Sequence, residues 1–313
     1  MWKKLLIRVI DSLKRSLQSS ETMDARKLSS DEKPTKGYGF HTLHRNRPSR
    51  RTVYGHRLLA HRSGFGGYHG VALTLSPADS AGGVSNCANA NLACIAGCSA
   101  GPNAMSSIAA SATKSRIEKT RALHSDRLGF VGQLMDEIEV QFNEANAKGL
   151  TLLAQLNVSS DIPWETKAYG EIPQEFPDVL FMDFTKLYHR IESAPENYKL
   201  VASWTAVPDD QAQCLSLLNK GYDVCVVFAE AEGSFFGVNA NKQRLPTLWQ
   251  HSGKDYAVFD GDFDFSNSFV RTLNQKTGMG RIYGKRLQAA SQSARLAAIA
   301  SGFCVISEQH KTR

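Results

Sequence analysis

VLFMDFTKLYHRIESAPENYKLVASW, residues 179–204, holds two short apolar runs, VLFMDF (179–184) and KLVASW (199–204), on either side of a polar connection containing Pro195. Each run is apolar on both faces, where a half-exposed strand would alternate. That is the pattern of strands covered on both sides in a parallel sheet. Working outward, the same kind of run recurs as VALTL (71–75), LTLLAQLN (150–157) and DVCVVF (223–228). Helical periodicity fills the intervals. Ile117, Leu123, Phe130, Leu134 and Ile138 mark a helix over about 104–147, with Gly149 placed to stop it. DDQAQCLSLLNKG (209–221) is a second helix, with an acidic start and a glycine stop. YAVFDGD (256–262) and GRIYG (280–284) are further strands, and SGFCVI (301–306) returns to a sheet edge. Strands alternating with crossover helices predict an α/β fold, a full or partial parallel (β/α) barrel over residues 70–306.

With 313 residues, 42% of them hydrophobic, the chain can bury a sizeable core. Its net charge of +7 is unevenly placed. Residues 1–62 carry 15 Lys/Arg against 5 Asp/Glu, and the remainder 22 against 25. The basicity therefore belongs to an N-terminal extension, which argues against a basic cleft across the whole domain. Residues 1–20 read as a basic amphipathic helix, with Trp2, Leu5, Leu6, Val9, Ile10, Leu13 and Leu17 at helical steps. Residues 2–17 suit docking on a protein surface or on an anionic membrane surface. Residues 21–69 are a polar linker and then an arm in which Tyr and Phe interleave with Arg and His. Such an arm can stack on bases while neutralising phosphates, so residues 37–62 are a candidate nucleic-acid contact; alternatively its aromatics cap the end of the domain. Residues 307–313 are a tail. No apolar run approaches the roughly 20 residues of a membrane span, and Lys3, Lys4, Arg8 and Asp11 interrupt the start. A cytoplasmic location with reduced thiols is expected.

In that setting CANANLACIAGC (87–98) reads as a metal loop directly after the first strand of the domain. Short spacings let Cys87, Cys94 and Cys98 wrap one centre. Three thiolates leave one position open, which suits an iron–sulfur cluster with one accessible iron. A zinc site would instead recruit a fourth ligand such as His69 or His124. The plain alternative is three packed thiols. Cys214, Cys225 and Cys304 lie in apolar surroundings and read as core residues.

Polar residues also interrupt the strand ends. QLNVSSDIPWE (155–165) supplies Asn157, Ser160 and Asp161; MDFTK (182–186) supplies Asp183 and Lys186; Ser203 ends another strand; Asp260 and Asp262 flank a glycine. Parallel strands send their C-terminal ends to one side, so these groups are expected around one active face. Asp161, Asp183 and Asp260 would repel one another there, so Lys186 is expected beside at least one of them. The competing readings are a plain Asp183–Lys186 pair and a solvated turn at 260–262.

The order LSPAD (75–79), the cysteine loop, RIEKTR (116–121), LNVSSDIPWE (156–165), EFPDVLFMDFTK (175–186), NYKL (197–200), DVCVVF, FDGD (259–262) and the final SGF resembles the "gene product eighty-eight" family of phage and plasmid proteins. The resemblance runs from about Gly70 to Ile306 and implies a role in a mobile element with no defined activity. It is distantly similar to radical S-adenosylmethionine enzymes, which carry a cysteine loop after the first barrel strand. That likeness implies a [4Fe-4S] cluster on Cys87, Cys94 and Cys98 with S-adenosylmethionine as cofactor. Asn157, Ser160, Ser203, Asp260 and Asp262 would bind the cofactor, and Asp161, Asp183 and Lys186 would act in catalysis. Zinc in a metal-stabilised nucleic-acid-binding protein, acting in phage or plasmid DNA replication or processing, is the alternative. SAGPN (99–103), Trp204-Thr205-Ala206 and GKRLQAAS (284–291) depart from the family pattern, and the cysteine spacing is wider than in radical enzymes.

Overall fold

The computed structural model describes residues 54–62, 68–78, 80–98, 110–230, 245–261, 280–287 and 292–307. The chain divides into Met1–Pro48 and Ser49–Arg313, and every described residue belongs to the second unit. The expected helix at 2–17, the linker, residues 37–53 of the arm and Asp262 lie outside the described residues.

The described strands are β1 (Leu59–His61), β2 (Tyr68–Leu73), β3 (Thr151–Gln155), β4 (Leu180–Thr185), β5 (Tyr198–Ser203), β6 (Val224–Glu230), β7 (Leu248–His251), β8 (Lys254–Asp260), β9 (Ile282–Arg286) and β10 (Val305–Ser307). They form one ten-stranded sheet in the order β1-β2-β3-β4-β5-β6-β9-β8-β7, with β10 also paired to β6. Pairing is parallel from β2 through β8, with Val71 opposite Ala154, Phe184 opposite Val201 and Cys225 opposite Tyr283. Only β1 and β7, at the two ends of this order, pair antiparallel. The five apolar runs of the sequence are thus adjacent, parallel strands in chain order.

The described helices are α1 (Leu92–Gly97), α2 (Ala110–Ser125), α3 (Arg127–Ala147), α4 (Ile172–Glu175), α5 (His189–Ser193), α6 (Pro208–Asn219) and α7 (Gln292–Ala300). One side chain from each of five parallel strands, Leu153, Met182, Val201, Cys225 and Tyr283, builds a buried layer on the sheet. Burying each large apolar side chain contributes about 1.5–3 kcal/mol. α3 packs on β2 and β3, burying Phe130, Val131, Leu134 and Ile138. Cys214, Cys225 and Cys304 are all buried, as their apolar surroundings imply.

Three local differences from the sequence reading have physical causes. The single helix expected over 104–147 is two, because Asp126 leaves helical geometry and its carboxylate accepts from Gly129 N at 2.9 Å, capping α3. The arm's last residues, 54–62, belong to the domain. Tyr54 N donates to Gln133 Oε1, Leu58 and Leu59 donate to the Glu137 carboxylate, and β1 extends the sheet. β7 and β8 form a hairpin whose Ser252 and Gly253 both take positive φ, the signature of a two-residue turn matched to strand twist.

Candidate functional site

The cysteine loop leaves the C-terminal end of β2 and is tied down before its first thiol. Asn86 is buried; its Nδ2 donates to Ser76 O at 2.9 Å and to Thr120 Oγ1 at 3.0 Å. His124 Nε2 lies 2.9 Å from Asn86 Oδ1. Asn86 O accepts from Asp161 N at 2.7 Å, and Cys87 forms an isolated parallel bridge with Asp161. RIEKTR therefore serves the loop through Thr120, and LNVSSD serves it through Asp161. Cys87 Sγ accepts from Ala78 N at 3.4 Å and faces Ser159 O at 3.8 Å.

The two asparagines of CANAN do separate work. Asn89 Nδ2 donates to Lys186 O at 3.1 Å. Asn91 caps α1, its Oδ1 accepting from Cys94 N at 2.9 Å, while its Nδ2 donates to Asp210 Oδ2 at 2.9 Å. Cys94 and Cys98 then lie four residues apart, on one side of the α1 turn. All six cysteines are present as thiols. Burial pushes Cys87 up to about 11, the Ala78 N–H opposing and Cys98, Asp161 and Cys94 adding to the rise. Burial also raises Cys94, against the pull of Lys186 and the Asn91 cap. Cys87, Cys94 and Cys98 thus share one short loop. Even so, no three His, Cys, Asp or Glu among the described residues are placed to hold a single metal ion. His69 Nε2 sits on Gln141 Oε1 at 2.9 Å, near the start of β2 and away from the loop; His124 is committed to Asn86.

Beside the loop, the ends of β3, β4 and β5 carry two charge networks. Asp161, buried in the turn after β3, accepts from Thr185 Oγ1 at 2.7 Å, Arg190 Nη1 at 2.8 Å and Lys186 N at 2.8 Å. Arg190 grips Glu165 with Nε at 2.7 Å and Nη2 at 2.8 Å. Burial alone would lower the Arg190 pKa; Glu165, Tyr198 and Asp161 carry it above its ordinary value. The second network joins Lys186 Nζ to Asp210 and Thr205, with the Thr205 hydroxyl also on Asp210. Burial would raise the Asp210 pKa, but Lys186 and Thr205 hold it below its usual value.

Lys186 does stand at Asp161, though through its backbone N–H; its ammonium pairs with Asp210, which the sequence did not single out. Arg190 was missed as well, because it lies in the polar connection after β4, where a charged residue carries no signal. Asp183 sits mid-strand in β4, accepting from Asn157 N at 2.6 Å, Asn157 Nδ2 at 3.1 Å and Tyr198 OH at 2.7 Å. Its carboxylate is thus held by donors, and the plain Asp183–Lys186 pair is not formed. Asn157 Oδ1 takes Ser160 Oγ, Ile162 N and Trp164 Nε1, so Asn157 and Ser160 fold the turn that carries Asp161. Ser203 closes β5, its carbonyl accepting from Tyr188 OH at 2.9 Å. Asp260 ends β8 and pairs with Arg286 at 2.7 Å. Parallel pairing brings all these strand ends to one edge of the sheet.

Among the described residues no helix is long and apolar enough to cross a membrane. No curated protein and no solved structure matches the chain. A family model described as Gene product 88 matches residues 45–305, starting ahead of the Gly70 expected from the motifs and taking in β1. That span covers most of the chain and every described element except the end of β10, so the chain belongs to the Gene product 88 family.

Proposed function

We propose that this is an iron–sulfur protein of a phage or plasmid, with a radical S-adenosylmethionine-like (β/α) barrel architecture. Cys87, Cys94 and Cys98 would hold a [4Fe-4S] cluster at the C-terminal edge of the sheet. The observation that carries the reading is the place of three thiols on the loop directly after the first parallel strand, Cys94 within α1 and Cys98 as the cap of its C-terminus. A single zinc ion needs its sulfurs within roughly 4 Å of one another. A cluster places each sulfur on a different iron, so the thiols must surround a volume instead of meeting at a point. Cations flank them as well: Lys186 acts on Cys94, and Arg116 feels Cys98.

When bound, the cluster would supply an electron to S-adenosylmethionine at the iron that no cysteine holds. The chain's own residues set the frame. Asn157 and Ser160 hold the turn that presents Asp161 to Cys87. Lys186 offsets thiolate charge, and Ser203 and Asp260 stand at the same edge for a cofactor's polar groups. Because burial keeps Cys87 protonated at neutral pH, loading releases protons.

Anaerobic purification with iron and acid-labile sulfide analysis tests the reading. A brown protein that loses its iron on Cys87→Ser, Cys94→Ser or Cys98→Ser, and keeps it on Cys214→Ser or Cys304→Ser, is the expected result. A colourless protein holding one zinc overturns it. So does one holding no metal. The second reading, a metal-stabilised nucleic-acid-binding protein, is supported by the charge of residues 1–62. It would then stand if DNA binding weakened steeply with salt.

A further inference from the structure

The helix that carries Cys94 and is capped by Cys98 is seated by a segment some two hundred residues downstream in the chain, the SGF turn at 301–303. α7 ends there in a Schellman motif. Phe303 N donates to Ala298 O at 3.0 Å and Gly302 N to Ile299 O at 3.1 Å, with Gly302 at φ 76°. The motif throws Phe303 back toward α1, which packs on α7. Contact is closest at Gly97, between Cys94 and Cys98. A Cβ there would stand 2.6 Å from Phe303 Cε1 and closer still to Cγ and Cδ1, inside the ring's van der Waals envelope. Phe303, partly buried, rests in turn on the cluster of Ala229, Leu287, Ala298 and Cys304, so the ring has backing on the side away from Gly97.

The same turn is anchored to the other wall of the site. Ala206 N donates to Gly302 O at 2.7 Å, just after Thr205, whose hydroxyl is on Asp210. Asp210 takes Asn91, the cap of α1. The circuit therefore closes: Phe303 on Gly97, Asn91 on Asp210, Thr205 on Asp210, and Ala206 on Gly302. α1 is held at both of its ends.

We infer that Phe303 is a positioning residue for the thiol site, and that residue 97 is glycine so that this ring can seat α1 with Cys94 and Cys98 toward Cys87. The inference deepens the iron–sulfur reading, but its first measurement concerns thiol placement and needs no metal. In metal-free full-length protein, site-resolved alkylation by iodoacetamide and mass spectrometry reads each thiol, with buried Cys214 as an internal control. Gly97→Ala alone should speed alkylation of Cys94 and Cys98 about tenfold, the size that overpacking at one methyl implies, and leave Cys214 unchanged. Phe303→Ala should do the same by vacating the seat, and Phe303→Leu should restore most of it. In the Gly97→Ala/Phe303→Ala double variant the methyl enters the space the ring left, so the rates should return to within about twofold of the parent.

Additive effects in the double variant overturn the inference. An unchanged Cys94 rate in Gly97→Ala, or Cys214 reacting in parallel with Cys94, does so too. Iron content of the same four proteins is the second readout. If no variant or parent binds iron while the thiol pattern holds, the positioning role stands and the iron–sulfur reading falls.

Discussion

Asp183 offers the sharpest test of the energetics, because its carboxyl is 1% exposed and meets three neutral donors. Burial raises its pKa from 3.8 to about 7; the Tyr198 and Asn157 hydrogen bonds and the Arg190 charge oppose the rise, and Asp161 adds to it. In the unfolded chain the group ionises near the ordinary carboxylate value of about 3.9. Between those two pKa values the unfolded state has released the proton and the folded state keeps it. The native state then binds more protons, so the unfolding free energy falls as pH rises through this window and levels off above about 7. About three pKa units correspond to a ceiling of about 4 kcal/mol. Asp183→Asn removes the ionisation and loses hydrogen-bond strength by an amount independent of pH. Urea unfolding followed by tryptophan fluorescence, from about pH 4 to about pH 8, should show the stability of the parent relative to the variant declining by a few kcal/mol at constant slope. A difference that stays flat over this range would mean that Asp183 is ionised throughout, its donors and Arg190 outweighing the cost of burial.

Two further expectations follow from the networks at the strand ends. Arg190→Met leaves Asp161 and Glu165 without their shared guanidinium in a site where Arg190 is 3% exposed, and should cost about 3–5 kcal/mol in urea unfolding. Arg190→Lys should recover only part of this, because one ammonium cannot reproduce the fork on Glu165. Asn91→Ala removes the α1 cap and the tie to Asp210. It should lower stability by about 1 kcal/mol and speed Cys94 alkylation, while Asn89→Ala, which frees only the Lys186 carbonyl, should leave Cys94 slower to react than Asn91→Ala.

The strands were legible because burial on both faces leaves a continuous apolar run, and a run such as VLFMDF has few other structural uses. The stops at Gly149 and Gly221 were legible for a related reason: both take positive φ, which few other residues tolerate. The break between α2 and α3 was hidden by hydrophobic periodicity that continues past it, although Asp126 is itself a residue type favoured at an N-cap. β1 was hidden for a different reason. LAH is three residues inside a basic arm, and its pairing is decided by β2 and by Glu137, far away in sequence.

The site was half legible, and the missing half is the choice of partners. A carboxylate in an apolar strand announces that it needs a donor, which is why Asp183 stood out, while Asp161 stood out as a charge where a strand gives way to polar residues. Which donor answers depends on geometry that no local pattern encodes. Lys186 had three plausible carboxylates nearby in the motif order, yet its ammonium reaches Asp210 on α6, and Arg190 from the next turn takes Asp161. That division has a chemical consequence. With Arg190 shared between Asp161 and Glu165 and Lys186 bound to Asp210, these two cations are already matched by carboxylate. Lys186 still pulls Cys94 down, but burial outweighs it, and burial raises Cys87 as well. A loop built to react through a bare thiolate would need the opposite balance, a surplus cation or a long helix N-terminus beside the sulfur. The raised Cys87 and Cys94 therefore argue against nucleophilic attack by either sulfur and leave two uses, a ligand that surrenders its proton on binding or a packed side chain.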